Sequence, residues 1–232
     1  MIGETLLVGG AALSVWLSQK FVRDWWFSRQ HYDLDNIALL DDFVMTPVDG
    51  TIVYVKEVKD GKVTTEKKGR VIAEDWVDGE SGYLIGIYMC VYDRHFVVSP
   101  VSDFVRYRHV PTTANIPMMD LWEYINFYYV GRFVDWFEEK AFSYKLHNEK
   151  IIYEFDCGIK MMGIADKFVN KIEVPEKLKH HPLVMKGEKI GHIRRGSQVD
   201  VFIPEYLFAE THLNPGDRVE VGSVLCQIKT NN

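Results

Sequence analysis

The chain has 232 residues, room for one sizeable domain or one domain with a small appendage. Apolar residues make up 47% and charged residues 26%, the balance of an ordinary globular protein, which rules out a disordered or low-complexity chain. Lys and Arg number 27 against 33 for Asp and Glu, a formal charge of −6, which disfavours a nucleic-acid partner because phosphate neutralisation needs a basic excess. Cys90, Cys157 and Cys226 are far apart, with neither metal-ligand spacing nor an even-numbered disulfide framework, and fit a reducing compartment.

Residues 5–17 form an apolar run that ends at Gln19, Lys20, Arg23 and Asp24. A helix crossing a bilayer needs about 20 apolar residues. No basic start and no small-residue cleavage site marks the run as a secretory signal. Phe21-Val-Arg-Asp-Trp-Trp-Phe27 then mixes aromatics with charges, a composition suited to a headgroup interface. Residues 1–42 are therefore read as a membrane-associating segment whose helix lies in or dips into a membrane surface facing the cytoplasm. A first helix packed on the domain is the plainer alternative, and a tilted short span stays open.

From Phe43 the texture changes to short alternating or β-branched runs: Gly50 to Lys56, Lys62 to Thr65, Tyr83 to Val91, Val97-Val98 and Phe104 to His109. Turn residues separate them at Pro47 to Gly50, Asp60-Gly61, Asp78-Gly79 and Ser99-Pro100. Asp60-Gly61 between two such runs predicts a hairpin. Met118 to Phe137 is rich in Met and aromatics, with Leu121, Tyr124, Ile125 and Tyr128 on one helical face; it reads as core, or else as an apolar insertion touching lipid or a partner. Strand-like runs return at 151–155, 159–162, 169–174, 183–203 and 217–229. The fold class expected is mainly β (α+β): a strand-rich sandwich or barrel-like domain over 43–232 behind an N-terminal membrane-associating helix.

Four stretches could carry chemistry. Asp49 in Thr46-Pro-Val-Asp-Gly50 reads, by itself, as a turn-former whose side chain bonds nearby backbone N–H groups. His95 in Tyr92-Asp-Arg-His95 follows a buried-looking strand, where a histidine is either structural or a base. His147-Asn148-Glu149 reads as a loop. Gly196-Ser197 lies between two strand-like runs and reads, alone, as a bulge or turn. Yet a Gly before a Ser removes bulk beside a peptide carbonyl and permits backbone angles barred to other residues. That is the local need of a serine that attacks its own preceding carbonyl.

Taken in order, these stretches resemble the phosphatidylserine decarboxylase family, most closely its short, compact branch. Phe21-Val-Arg-Asp24 is similar to F-F-R-D, Thr46 to Gly50 to S-P-A-D-G, and Val91-Tyr-Asp-Arg-His95 through Ser102 to V-F-x-V-H-x-N-R-x-P-V-S. His147-Asn-Glu149 is similar to S-x-N-E-R, and Gly163-Ile-Ala-Asp-Lys-Phe-Val169 to G-x-x-A-R-x-I-V. Lys186 to Gly191 with Arg195-Gly-Ser-Gln-Val-Asp-Val-Phe-Ile-Pro204 resembles G-x-x-x-G-x-I-x-F-G-S-R-V-D-V-x-L-P. Asn214-Pro-Gly-Asp-Arg-Val219 with Gly222 resembles V-x-x-G-D-x-V-x-A-G. The matches are collinear over residues 21–229; their order is the specific signal, since no single motif is.

The resemblance implies a self-made cofactor. The chain is cut between Gly196 and Ser197 into a β chain, 1–196, and an α chain, 197–232, and Ser197 becomes a pyruvoyl group. Asp49 corresponds to the family's acidic member and His95 to the imidazole of an Asp–His pair that activates the serine. The ketone takes up the substrate's amine and acts as an electron sink while phosphatidylserine in a membrane loses CO₂ to become phosphatidylethanolamine. His147 and Asn148 are candidate substrate contacts. No metal is implied. A homodimer is a candidate assembly that no motif decides.

The departures are specific. Asp93 stands where many relatives carry a second His. Arg195 and Gln198 replace an aromatic or Leu and an Arg or Thr at the cut. Pro111-Thr-Thr-Ala-Asn115 replaces P-G-K-F-x-N-A. Competing readings are a non-cleaving lipid-binding relative, a decarboxylase of another amino-acid or ether-lipid headgroup, and a biotinyl- or lipoyl-type carrier presenting Lys186 on a hairpin.

Overall fold

The computed structural model describes residues 14, 34–36, 38–64, 71–90, 93–119, 143–167, 169, 172–193 and 196–229. Most of residues 1–42, read from the sequence as a membrane-associating segment, and most of the aromatic stretch 118–137 lie outside them. Among the described residues no helix is long and apolar enough to cross a membrane.

The described residues are mainly strand. The largest sheet runs, in spatial order, β11 (Leu183–Val184), β7 (Asp103–Val110), β8 (Lys150–Phe155), β9 (Lys160–Ala165), β13 (Ser197–Pro204), β5 (Gly82–Met89), β2 (Gly50–Val58) and β15 (Arg218–Val219). Every neighbouring pair is antiparallel. The sheet ends at β11 on one side and β15 on the other, so the barrel entertained from the sequence is not closed.

Two smaller sheets lie around this one. One orders β1 (Phe43–Met45), β16 (Val224–Ile228) and β14 (Phe208–Glu210); the other β10 (Ile172–Glu173), β12 (Lys189–Ile193) and β6 (Phe96–Val98). A separate pair joins β3 (Lys62–Thr64) to β4 (Val71–Ala73), and a single helical turn, α1 (Lys177–His180), precedes β11.

The hairpin expected at Asp60-Gly61 forms. Both residues have positive φ, 49° and 69°, which two-residue turns matching the strand twist require. Lys59 and Lys62 close it by exchanging backbone hydrogen bonds of 2.8 and 2.9 Å.

β13 is central and buried along its whole length, flanked by β5 and β9. The pleat sends alternate side chains to opposite faces. Val199, Val201 and Ile203 join Ile85, Ile87 and Met89 in one apolar cluster, while Phe202 joins Trp76, Leu84 and Tyr144 in another. Ser197 is therefore on the first face, and Gln198 and Asp200 on the second. Each fully buried aliphatic side chain contributes about 1.5–3 kcal/mol, so the strand that begins at Ser197 is among the best anchored in the molecule. Met118 and Met119, the start of the aromatic stretch, pack into the second cluster as core.

Candidate active site

Ser197 opens β13, opposite Met89 on one side and Ala165 on the other, and is fully buried. Its hydroxyl donates to Met89 Sδ at 3.1 Å. A thioether is a weak acceptor, so Oγ is aimed but only lightly held. Gly196 adopts φ +37°, and a Cβ there would stand 3.0 Å from Asp166 Oδ2. The positive φ favours glycine, and any side chain there would press on the Asp166 carboxylate. The Gly196 carbonyl oxygen accepts the Asp166 N–H at 3.1 Å, continuing the β9–β13 ladder across the Gly196–Ser197 peptide.

His95 is fully buried just before β6. Its main-chain oxygen accepts the Ile193 N–H at 2.8 Å, so the β6–β12 pairing sets it beside the strand that leads into Gly196. Ring Nδ1 lies 2.7 Å from the Asp93 carbonyl oxygen. A carbonyl only accepts, so Nδ1 carries the proton and Nε2 the lone pair. Burial pushes the imidazole down to about 4, outweighing the raising effects of Asp93 and Asp49. At neutral pH the ring is an uncharged base.

Asp49 sits in the turn before β2, but its carboxylate does more than brace that turn. Oδ2 accepts Arg94 Nε at 2.5 Å and the Arg94 N–H at 3.2 Å; Oδ1 accepts Arg94 Nη2 at 2.8 Å and the Val221 N–H at 2.8 Å. Asp49 thus fixes residue 94, and the Asp93 carbonyl, not the Asp49 carboxylate, sets the ring tautomer of His95. The sequence brought Asp49 and His95 together; the structure joins them through Arg94.

Asp93 explains its own departure from the pattern. Its buried carboxylate accepts the Cys90 N–H at 2.7 Å and forks onto Arg218 of β15, through Nη1 at 3.1 Å and through Nη2. It ties the loop that carries His95 to the residue after β5 and to β15. Sequence reading missed this role, because Asp93 and Arg218 are 125 positions apart.

Asn148 is buried and committed to backbone. Its amide donates to Ile116 O at 2.9 Å and Ala165 O at 2.7 Å and accepts the Ile116 N–H at 2.8 Å. It therefore holds loop 115–118 against the end of β9, beside Asp166. His147 is exposed, with Nδ1 2.7 Å from Ser143 O.

On the other face of β13, Gln198 ends in a buried polar network. Oε1 accepts the Tyr144 hydroxyl at 2.5 Å, and Nε2 donates to Tyr54 Oη at 2.7 Å and Asp200 Oδ1 at 2.6 Å. Tyr54 donates to Asp200 at 2.6 Å, and Lys145 joins Asp200 at 2.7 Å and Glu74 at 2.9 Å. Burial alone would lower the Lys145 ammonium; Asp200 and Glu74 outweigh it and hold the group above its ordinary value. Where the pattern carries Arg or Thr, this chain's Gln198 places its amide in this network.

Lys186 is not displayed as a carrier lysine would be. Its ammonium is turned inward onto Leu40 O at 2.6 Å and Phe43 O at 2.8 Å. Among the described residues no cluster of His, Cys, Asp and Glu could hold a metal ion.

Comparison with known proteins agrees with this geometry. A phosphatidylserine decarboxylase family model matches residues 24–227. The chain is 23% identical over 190 residues to a phosphatidylserine decarboxylase proenzyme of Geotalea uraniireducens, covering 81% of this chain and 71% of that one. It is 26% identical over 218 residues to one from Polynucleobacter asymbioticus, covering 91% and 80%. A third, from Magnetococcus marinus, is 25% identical over 186 residues, covering 78% and 67%. With the match extending across the buried Gly196-Ser197 pair, the Asp49 turn and the His95 loop, the chain belongs to the phosphatidylserine decarboxylase family.

Proposed function

We propose that this chain is a proenzyme that cuts itself between Gly196 and Ser197 and then decarboxylates phosphatidylserine to phosphatidylethanolamine and CO₂. The observation that carries the reading is the Gly196–Ser197 peptide itself: a positive-φ glycine, its carbonyl oxygen held by a backbone N–H, and a buried serine whose hydroxyl donates to a thioether.

His95 supplies the base. Neutral serine is a poor nucleophile, and an imidazole that burial keeps uncharged, with its lone pair on Nε2, can take the Oγ proton. Asp49 and Asp93 act through the loop: one grips Arg94, the other grips Cys90 and Arg218, and the Asp93 carbonyl so held orients the ring through Nδ1. Attack forms an ester between Ser197 Oγ and the Gly196 carbonyl as the C–N bond breaks, elimination from that ester separates the chains and leaves a dehydroalanine at 197, and its imine tautomer takes up water and releases ammonia to become the pyruvoyl ketone.

A pyruvoyl group suits this position. Residue 197 is walled by Met89 and Ala165 and closed from water, and β13 keeps its ladders to β5 and β9 after the cut, so the new α-chain end stays anchored without a covalent tether. Such a ketone supplies the electron sink for loss of CO₂. Asn148 acts by holding loop 115–118 beside Asp166, and His147 is exposed and available to a lipid headgroup. The lipid substrate is reached through residues 1–42, whose apolar run and Trp-rich border suit a membrane surface; deleting residues 1–20 should release the chain from phospholipid vesicles in a flotation assay.

The test is decarboxylation of phosphatidylserine in mixed vesicles, read as phosphatidylethanolamine formed. The intact chain should be active and Ser197→Ala inactive and uncut. An active Ser197→Ala chain contradicts the pyruvoyl reading. Turnover of free serine with none of the lipid contradicts the substrate.

A further inference from the structure

We propose that Asp166 is a further residue of the self-cleavage site: its main-chain N–H stabilises the charge that builds on the Gly196 oxygen, and its carboxyl group, when ionised, opposes the cut. The inference rests on the Gly196–Ser197 reading above.

Both halves come from geometry. The Asp166 N–H already donates to Gly196 O at 3.1 Å. When Ser197 Oγ adds to the Gly196 carbonyl carbon, the Oγ proton passes to His95 Nε2 and that oxygen becomes anionic against a preorganised donor. Collapse breaks the Gly196–Ser197 C–N bond, and the nitrogen takes the proton back from His95. Elimination then moves the Ser197 Cα proton to His95, breaks the Cβ–Oγ bond and leaves Gly196 as a carboxylate. Negative charge is thus created at residue 196 twice, first on the carbonyl oxygen and then on the leaving carboxylate.

The Asp166 side chain occupies that same place. Its Oδ2 stands 3.0 Å from where a Gly196 Cβ would be, and its Oδ1 accepts the N–H groups of Met118 at 2.8 Å and Lys167 at 2.7 Å. Asp166 is half-buried, and a second carboxylate formed beside it at residue 196 does not ionise without cost. Burial raises the Asp166 pKa, against the lowering effects of those two N–H groups and of the Lys167 charge. Among the described residues, Tyr144, from the turn at 143–147, also feels the Asp166 charge, and burial holds it as a neutral phenol.

The experiment follows cutting of freshly translated chains at pH 8 and pH 5 by mass. His95 stays uncharged across this range, since it titrates near 4. Asp166→Asn keeps an oxygen for Met118 and Lys167 but cannot ionise. It should cut roughly tenfold faster than the parent at pH 8, and the ratio should shrink as the pH is lowered and the parent's raised carboxyl takes up its proton. Asp166→Ala should behave the same way. Variants that cut at the parental rate at both pH values, or more slowly at pH 8, overturn the proposal. A parent chain that stays whole at both pH values overturns the Gly196–Ser197 reading and the inference with it, a result distinct from the first.

Discussion

Arg94 and Asp49 meet fork to fork: Nε reaches Oδ2 at 2.5 Å and Nη2 reaches Oδ1 at 2.8 Å, with the Arg94 main-chain N–H on the same carboxylate. The pair lies one residue from His95, so a change in Asp49 is a change in where the imidazole points. Asp49→Asn keeps the shape and loses the charge. Cutting should slow roughly tenfold or more, because small misplacements of a reacting group are costly. Asp49→Ala removes the carboxylate altogether and should also destabilise the fold by about 3 kcal/mol. A time course of cutting beside a urea titration checks both; unchanged cutting in Asp49→Asn would detach Asp49 from the site.

His95 makes an acid-stability prediction whose sign is fixed. Its folded pKa is about 4 against an ordinary 6.5. The unfolded chain therefore takes up this proton first as pH falls. Stability should be lost between about pH 6.5 and pH 4, by up to about 3 kcal/mol from this one group. Melting temperature measured from pH 7 to pH 4 should fall, and His95→Asn should flatten that slope while abolishing the cut. An equal slope in the variant would place the acid sensitivity elsewhere.

Lys145 neutralises two buried carboxylates, Asp200 at 2.7 Å and Glu74 at 2.9 Å. Replacing it by Met leaves both without their cation. Loss of one partner from a buried charge cluster costs about 3–5 kcal/mol, and urea unfolding of Lys145→Met should show a loss of that size. Tyr144→Phe removes one neutral donor from Gln198 and should cost less, about 1–2 kcal/mol. A Lys145→Met chain as stable as the parent would mean that the cluster is not held together by its charge.

Much of this architecture is legible in the sequence because it is local. The apolar alternation from Gly50 onward and at Tyr83 to Met89 marks β2 and β5, and Asp60-Gly61 marks the hairpin that follows β2, since only residues tolerant of positive φ can sit there. Gly196 and Ser197 are legible for the same reason: the backbone angle and the nucleophile are adjacent. What pairing decides is not legible. Asp166 looks like an ordinary strand end until the β9–β13 register lays it against Gly196. Asp93 looks like a substitution in a histidine motif until Arg218 arrives from β15, and Gln198 looks like a departure until Tyr144, Tyr54 and Asp200 surround its amide. An open sheet rather than a closed barrel is likewise a matter of which strands end without a partner, which no strand's own pattern states.

The central claim is that the Gly196–Ser197 peptide is the bond this protein breaks in itself. Intact mass of the freshly purified chain under denaturing conditions tests it most directly. The account predicts two species, residues 1–196 ending in a free carboxylate and residues 197–232 beginning with a ketone in place of an amine, and only the second should form an adduct with a hydrazide. A single uncut chain of 232 residues, or a cut at any other peptide, would contradict it.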